Sequence, residues 1–122
     1  KGTFMEQIER YAAAEYSEAM QPIVARLAEL KGRLAEMIAH VEEGEKQAAG
    51  FKDFHARRLV ETAGHIIITY LLARQAGESE EYVNSARIYA KLADGKVSEA
   101  YDYVMKSDVS DVELFHAVEQ DC

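Results

Sequence analysis

Apolar residues recur along most of this chain at alternating steps of three and four, and no segment shows the strict alternation of a half-buried strand. Steps of three and four place side chains on one side of an α-helix, so the pattern predicts helices throughout. The clearest example is Ile23, Leu27, Leu30, Leu34, Met37 and Val41, which is the spacing of a bundle seam.

Punctuation residues divide the pattern into elements. Thr3 with Glu6 predicts a capping box that opens a first helix running to about Ala19, with Met5, Ile8, Tyr11 and Ala12 turned inward. Pro22 suits the first turn of a second helix, expected to end near Glu43. Gly32 weakens that helix slightly, and "EEGEKQAAG", with glycines at Gly44 and Gly50, reads as a polar connection.

A third helix is expected from Phe51 to Ala76, ended by a left-handed cap at Gly77. Its second half is apolar on most faces, through Leu59, Val60, Ala63, Ile66, Ile67, Ile68, Tyr70, Leu71 and Leu72, which marks it as the central helix. Ser79, followed by Glu80 and Glu81, predicts the cap of a fourth helix running to about Lys106. Its inward stripe is Tyr82, Ala86, Tyr89, Ala93, Val97, Ala100 and Val104. Ser110 with Glu113 predicts a second capping box, opening a short helix that carries Leu114, Phe115 and Val118. The expected fold is all-α: an antiparallel four-helix bundle with an additional short terminal helix.

Composition narrows the partners. With 22 acidic against 14 basic residues the formal charge is -8, so the mean field repels nucleic acid and anionic membrane surfaces. The length of 122 residues fits one domain, residues 1–122, with a core of its own. The longest strongly apolar segment, Leu59 to Ala73, is too short to span a bilayer and contains Glu61 and His65. A lone cysteine, Cys122, allows neither an internal disulfide nor a thiolate metal cluster, and a cytoplasmic setting is expected. The first residue is Lys1 rather than methionine, consistent with a domain excised from a longer polypeptide.

Chemistry is thin. Glu61 and His65, four apart, share a helix face and are able to hydrogen-bond. A di-metal carboxylate centre in a bundle needs two Glu-x-x-His motifs and two further glutamates. One such spacing occurs, Glu113 with His116, and His40 with Glu43 has the reverse order. His65 therefore reads first as a partly buried helix histidine, Glu61 as the charge partner of Arg57 or Arg58, and His40 and His55 as solvated. Glu42, Glu43 and Glu45 read as solvated surface, and the tyrosines Tyr82, Tyr89, Tyr101 and Tyr103 as packing rather than a ligand pocket. No G-x-S-x-G elbow, P-loop or G-x-G-x-x-G is present. No catalytic, cofactor-binding or metal residue is assigned.

Two longer stretches carry a resemblance. "FHARRLVETAGHIIITYLLARQA", followed by "YVNSARIYAKLADGKVSEAYDYV", resembles the extra C-terminal helical domain of some large bacterial acyl-CoA dehydrogenases, and "QPIVARLAELKGRLAEMIAHV" is similar to the long helix that opens that bundle. The resemblance implies a parent flavoenzyme that oxidises acyl-CoA thioesters through FAD and passes electrons to an electron-transfer flavoprotein. It also implies that this segment is a non-catalytic accessory, used for subunit contacts in a homo-oligomer or to cover the catalytic core. Ile66, Ile68, Leu72 and Tyr103 are the expected docking surface. Two other classes stay open: a free-standing bundle metalloprotein with His65 and His116 facing inward, and a histidine phosphotransfer-like module with His65 facing solvent.

Overall fold

The computed structural model describes residues 2–121, and the side chains of Gly2, Thr3, Phe115 and residues 119–121 lie outside the description. The expected pairing of Thr3 with Glu6 and the placement of Phe115 and Cys122 therefore fall outside the described residues. Five α-helices follow in order: α1 (Gly2–Ala13), α2 (Gln21–Gln47), α3 (Phe51–Glu78), α4 (Tyr82–Lys106) and α5 (Ser110–Asp121), with a 3-10 turn at Glu18–Met20. Among the described residues there is no strand.

Short connections of three residues join α2 to α3 and α3 to α4, so these helices lie antiparallel as neighbours. The third helix, α3, packs on α1, α2 and α4 and is central, as its all-round apolarity predicts. Of the predicted seam, Leu27, Leu30, Leu34, Met37 and Val41 are buried and Ile23 is half-buried. Each such burial contributes roughly 1.5–3 kcal/mol, against about 1 kcal/mol lost by having Gly32 inside the helix. The seam wins, and the helix runs through Gly32 unbroken.

The first helix stops six residues earlier than its sequence suggests. Tyr16 folds back so that its hydroxyl donates to the Tyr11 carbonyl at 2.7 Å, occupying an oxygen left free at the helix end. The ring of Tyr16 then lies 5.9 Å from Tyr70, which also stacks on Tyr11 at 6.2 Å. The turn that follows drops Met20 into a buried cluster with Ala73, Ala76 and Ala86. A helix continuing to Ala19 would carry Met20 away from those alanines.

Helix boundaries elsewhere shift for identifiable reasons. The second helix continues through Gly44, which is buried rather than part of a polar connection. A Cβ at Gly44 would stand 2.3 Å from Cδ2 of Phe51, so the absent side chain is what lets α2 and α3 approach. Gly50, at φ 100°, makes the turn that starts α3. Glu45, expected in solvent, instead turns its carboxylate to accept the backbone amides of Lys52 at 2.8 Å and Gly50 at 3.2 Å, capping the start of α3.

The third helix passes through Gly77 and ends at Glu78. The fourth begins after Glu81, because the Ser79 hydroxyl is aimed at Glu81 Oε2 at 3.4 Å instead of at a backbone amide. Arg26 on α2 makes a two-toothed pair with Asp94 on α4, at 2.6 and 2.9 Å. Those hydrogen bonds hold the Asp94 carboxyl below its usual range and fix the register of α2 against α4.

Candidate functional site

Glu61 and His65 share a helix face but do not form a pair. The Glu61 carboxylate accepts from Arg57 Nε at 3.1 Å, the exposed intrahelical charge pair that the spacing also allowed. The His65 ring turns toward α4, where Nδ1 lies 3.0 Å from the Tyr89 hydroxyl, and the residue is half-buried. A groove of about 320 Å³ runs beside it, lined by Arg58, Glu61, Thr62, Lys96, Glu99 and Tyr103. Its cations and carboxylates alternate, and it contains no activated nucleophile.

A second constellation forms where α4 turns into α5. His40 from α2 and His55 from α3 both reach Ser107: His40 Nε2 donates to the Ser107 carbonyl at 2.8 Å, and His55 Nε2 lies 3.0 Å from Ser107 Oγ. The Ser107 hydroxyl donates to Asp111 Oδ2 at 2.8 Å, and the Asp108 amide donates to the same oxygen at 3.0 Å. Since the single hydroxyl proton goes to Asp111, His55 must donate through Nε2, which leaves Nδ1 as an acceptor. That Nδ1 is buried without a partner among the described residues.

Burial is the main reason the His55 imidazole is pushed down to about 4, with Arg58 and His40 adding to the cost of a positive charge there. The Asp111 carboxyl is held below its usual value, first by the Ser107 hydroxyl and then by the Asp108 amide. The cluster therefore rests as neutral histidine beside carboxylate.

The residue types are those of a hydrolytic triad in the wrong order. A nucleophilic serine gives its proton to histidine, and the carboxylate orients the histidine. Here the serine gives its proton to the carboxylate, and Ser107 is itself buried. The arrangement does structural work, tying α2 and α3 to the base of α5. The same bonds move the α5 capping box from Ser110 and Glu113 to Asp108 and Asp111, with Asp108 Oδ1 accepting the Ser110 amide at 2.9 Å. Sequence reading placed His40 and His55 in solvent; His55 is fully buried and His40 half-buried.

Aromatic rings enclose this corner. Phe51 and Phe54 meet the His55 ring edge-on at 4.9 and 4.8 Å, Tyr103 lies 5.8 Å away, and the Arg58 guanidinium sits 4.0 Å over the Tyr103 ring.

The expected docking residues separate. Ile66 is fully buried in the core with Leu30, Leu34 and Tyr70, so it offers no surface. Leu72 is half-buried against the Met20 cluster. Ile68 and Tyr103 remain exposed, and sequence reading missed their exposed neighbours Val60, Leu71, Ile88 and Leu92. Among these Ile88 is 70% exposed, more than any other large apolar residue described. Glu113 and His116 both lie on the exposed side of α5. Among the described residues no group of three or more His, Cys, Asp or Glu side chains is placed to hold a metal ion, and no helix is long and apolar enough to cross a membrane.

Comparison with known proteins agrees with this architecture. The family described as "Acyl-CoA dehydrogenase C terminal" matches residues 1–112. The fold is similar to the crystal structure of the acyl-CoA dehydrogenase family protein from Porphyromonas gingivalis, with a TM-score of 0.77 and 30% sequence identity over 85% of this chain and 89% of that one. No curated protein matches the sequence. The long α2, the all-round apolar α3 and the α4 that follows are therefore the helices of a recognised domain, and the chain belongs to the acyl-CoA dehydrogenase C-terminal family.

Proposed function

We propose that residues 1–122 form a non-catalytic accessory domain at the C-terminal end of a longer acyl-CoA dehydrogenase, docking through the outer faces of α3 and α4. The single observation that carries this reading is the surplus of apolar surface on those faces. Val60, Ile68 and Leu71 on α3 and Ile88, Leu92 and Tyr103 on α4 stay exposed after the bundle core has closed. Isolated exposed apolar residues are ordinary, but helical-period stripes on two adjacent helices fit a surface that another polypeptide covers.

Gly64 strengthens the case. It stands between Val60 and Ile68 on the outer side of α3, and nothing lies within 4 Å of the position its Cβ would take. Inside this domain an alanine there would favour the helix. A glycine at such a position lets a second backbone come close.

In this reading the parent's FAD chemistry, which converts acyl-CoA to 2-enoyl-CoA and passes electrons to an electron-transfer flavoprotein, resides in the preceding part of a cytoplasmic, homo-oligomeric enzyme. The bundle's own contribution is to shield part of that core or to join subunits. The first test is the natural coding DNA upstream of Lys1. An in-frame flavoprotein region is the expected result, and a start codon immediately before this segment would reject the reading. Within a parent so identified, Ile68→Asp with Leu92→Asp should impair assembly or activity while leaving the helical content of the domain unchanged.

A further inference from the structure

Two features elsewhere on the domain are complementary to each other. The first is α5. It is tied to the bundle by Val109, Val112 and the bonds of Ser107 and Asp111, while Leu114 and Val118, one helical turn apart, are 63% and 61% exposed. Residues 108–121 contain the carboxylates Asp108, Asp111, Glu113, Glu119 and Asp121 and no lysine or arginine. Asp108 and Asp111 are engaged in the cap of α5, so among the described residues the exposed carboxylate next to the Leu114–Val118 ridge is that of Glu113.

The second feature is a slot of about 230 Å³ between α1, α2 and α3, lined by Phe4, Leu34, Ile38, Leu59 and Val60, with Lys52 at its rim. It is smaller than the roughly 300–1,000 Å³ clefts that hold drug-sized ligands, so aliphatic side chains suit it better. Lys52 lies in the first turn of α3 and sets a cation beside the slot, opposite in sign to the carboxylate of Glu113 on α5.

We infer that α5 of one copy seats its Leu114–Val118 ridge in the Lys52-rimmed slot of a second copy, and that the second copy returns the contact. Both features lie toward the same end of the bundle. Val112 Cγ1 stands 3.9 Å from the position a Cβ would take on Gly50, two residues before Lys52. A two-fold axis at that end lets the ridge and slot of each copy meet the slot and ridge of the other, giving a closed rather than an open assembly. The contact needs no parent chain, so the isolated domain tests it apart from the proposed docking of α3 and α4, with which it shares only Val60.

Sedimentation of the 122-residue chain over a range of concentrations tests it. The expected result is a monomer–dimer equilibrium that Leu114→Asp with Val118→Asp weakens at least tenfold, with circular dichroism unchanged because both residues are exposed. Lys52→Glu should weaken the dimer and tighten its salt dependence into a penalty, and Glu113→Lys in the same chain should restore part of the affinity. A zero-length carbodiimide cross-link between Lys52 and a carboxylate of α5 should join two different chains, read from mixed isotope-labelled copies. A chain that stays monomeric at all concentrations overturns the inference, as does a dimer indifferent to the Leu114 and Val118 changes. Saturable perturbation of the Lys52 slot by decanoate in a monomeric chain would also overturn it, assigning the slot to a small amphiphile.

Discussion

Gly44 on α2 and Gly64 on α3 both sit inside long helices, and they mark two opposite kinds of region. Around Gly44 the molecule is finished: the Phe51 ring occupies the space a Cβ would need, His55 packs against that ring, and His40 and His55 both bond to Ser107. Around Gly64 the molecule is open, with empty space over the glycine and apolar neighbours facing water. The same residue type sits against a ring in one place and under open space in the other. Stability should therefore concentrate at the closed end, and sensitivity to partners at the open face.

The largest effect expected from breaking the closed end is Phe51→Ala, which empties a fully buried site beside Gly44. A loss of about 3–5 kcal/mol is expected in urea denaturation. A loss below 1 kcal/mol would mean that Phe51 does not hold that end together.

Acid should act next. Below the ordinary histidine value near 6.5 the unfolded chain binds a proton at His55 that the folded chain refuses until about pH 4. The unfolded state thus holds more protons in that window, and stability falls as pH drops from about 6.5 toward 4, by on the order of 2–3 kcal/mol. Asp111, held below its usual range, extends the loss to lower pH as it becomes protonated. His55→Gln should flatten the slope between pH 6.5 and 4, and an unchanged slope in that variant would remove His55 from the explanation.

The two glycines give the sharpest contrast. Gly44→Ala should destabilise by about 1–3 kcal/mol through overpacking, and much of that cost should vanish when Phe51 is changed to Leu, since the two positions share one space. Gly64→Ala should instead stabilise the isolated domain by about 0.5–1 kcal/mol, because nothing opposes the new methyl group. In a parent enzyme the same change should weaken docking. Thermal melts of the two alanine variants moving in the same direction would dissolve the distinction between the regions.

Much of this architecture was legible along the chain because it is written locally. The seam from Ile23 to Val41 and the apolarity of α3 depend on spacing within one helix, and the structure follows them. Features made by two distant segments were not legible. Gly44 reads as a breaker until the ring of Phe51 is placed over it, and the capping role of Glu45 requires the turn at Gly50 to bring α3 back. His55 and Ser107 lie 52 positions apart, so no spacing rule joins them. The start of α5 failed for another reason: "SDVSDVE" offers several residues able to cap, and His55 selects among them by fixing Ser107. Ile66 and Ile68 lie two positions apart in one apolar run, and only packing distinguishes the buried Ile66 from the exposed Ile68.

Ser107 carries one more consequence. Lys106, immediately before it, is the last lysine or arginine in the sequence, so residues 107–122 offer trypsin no other bond. Cleavage after Lys106 requires local opening of a segment that two histidines and an aspartate hold shut. The chain thus carries its own proteolytic clock, in which the rate of cleavage after Lys106 reports how often the α4–α5 junction comes apart.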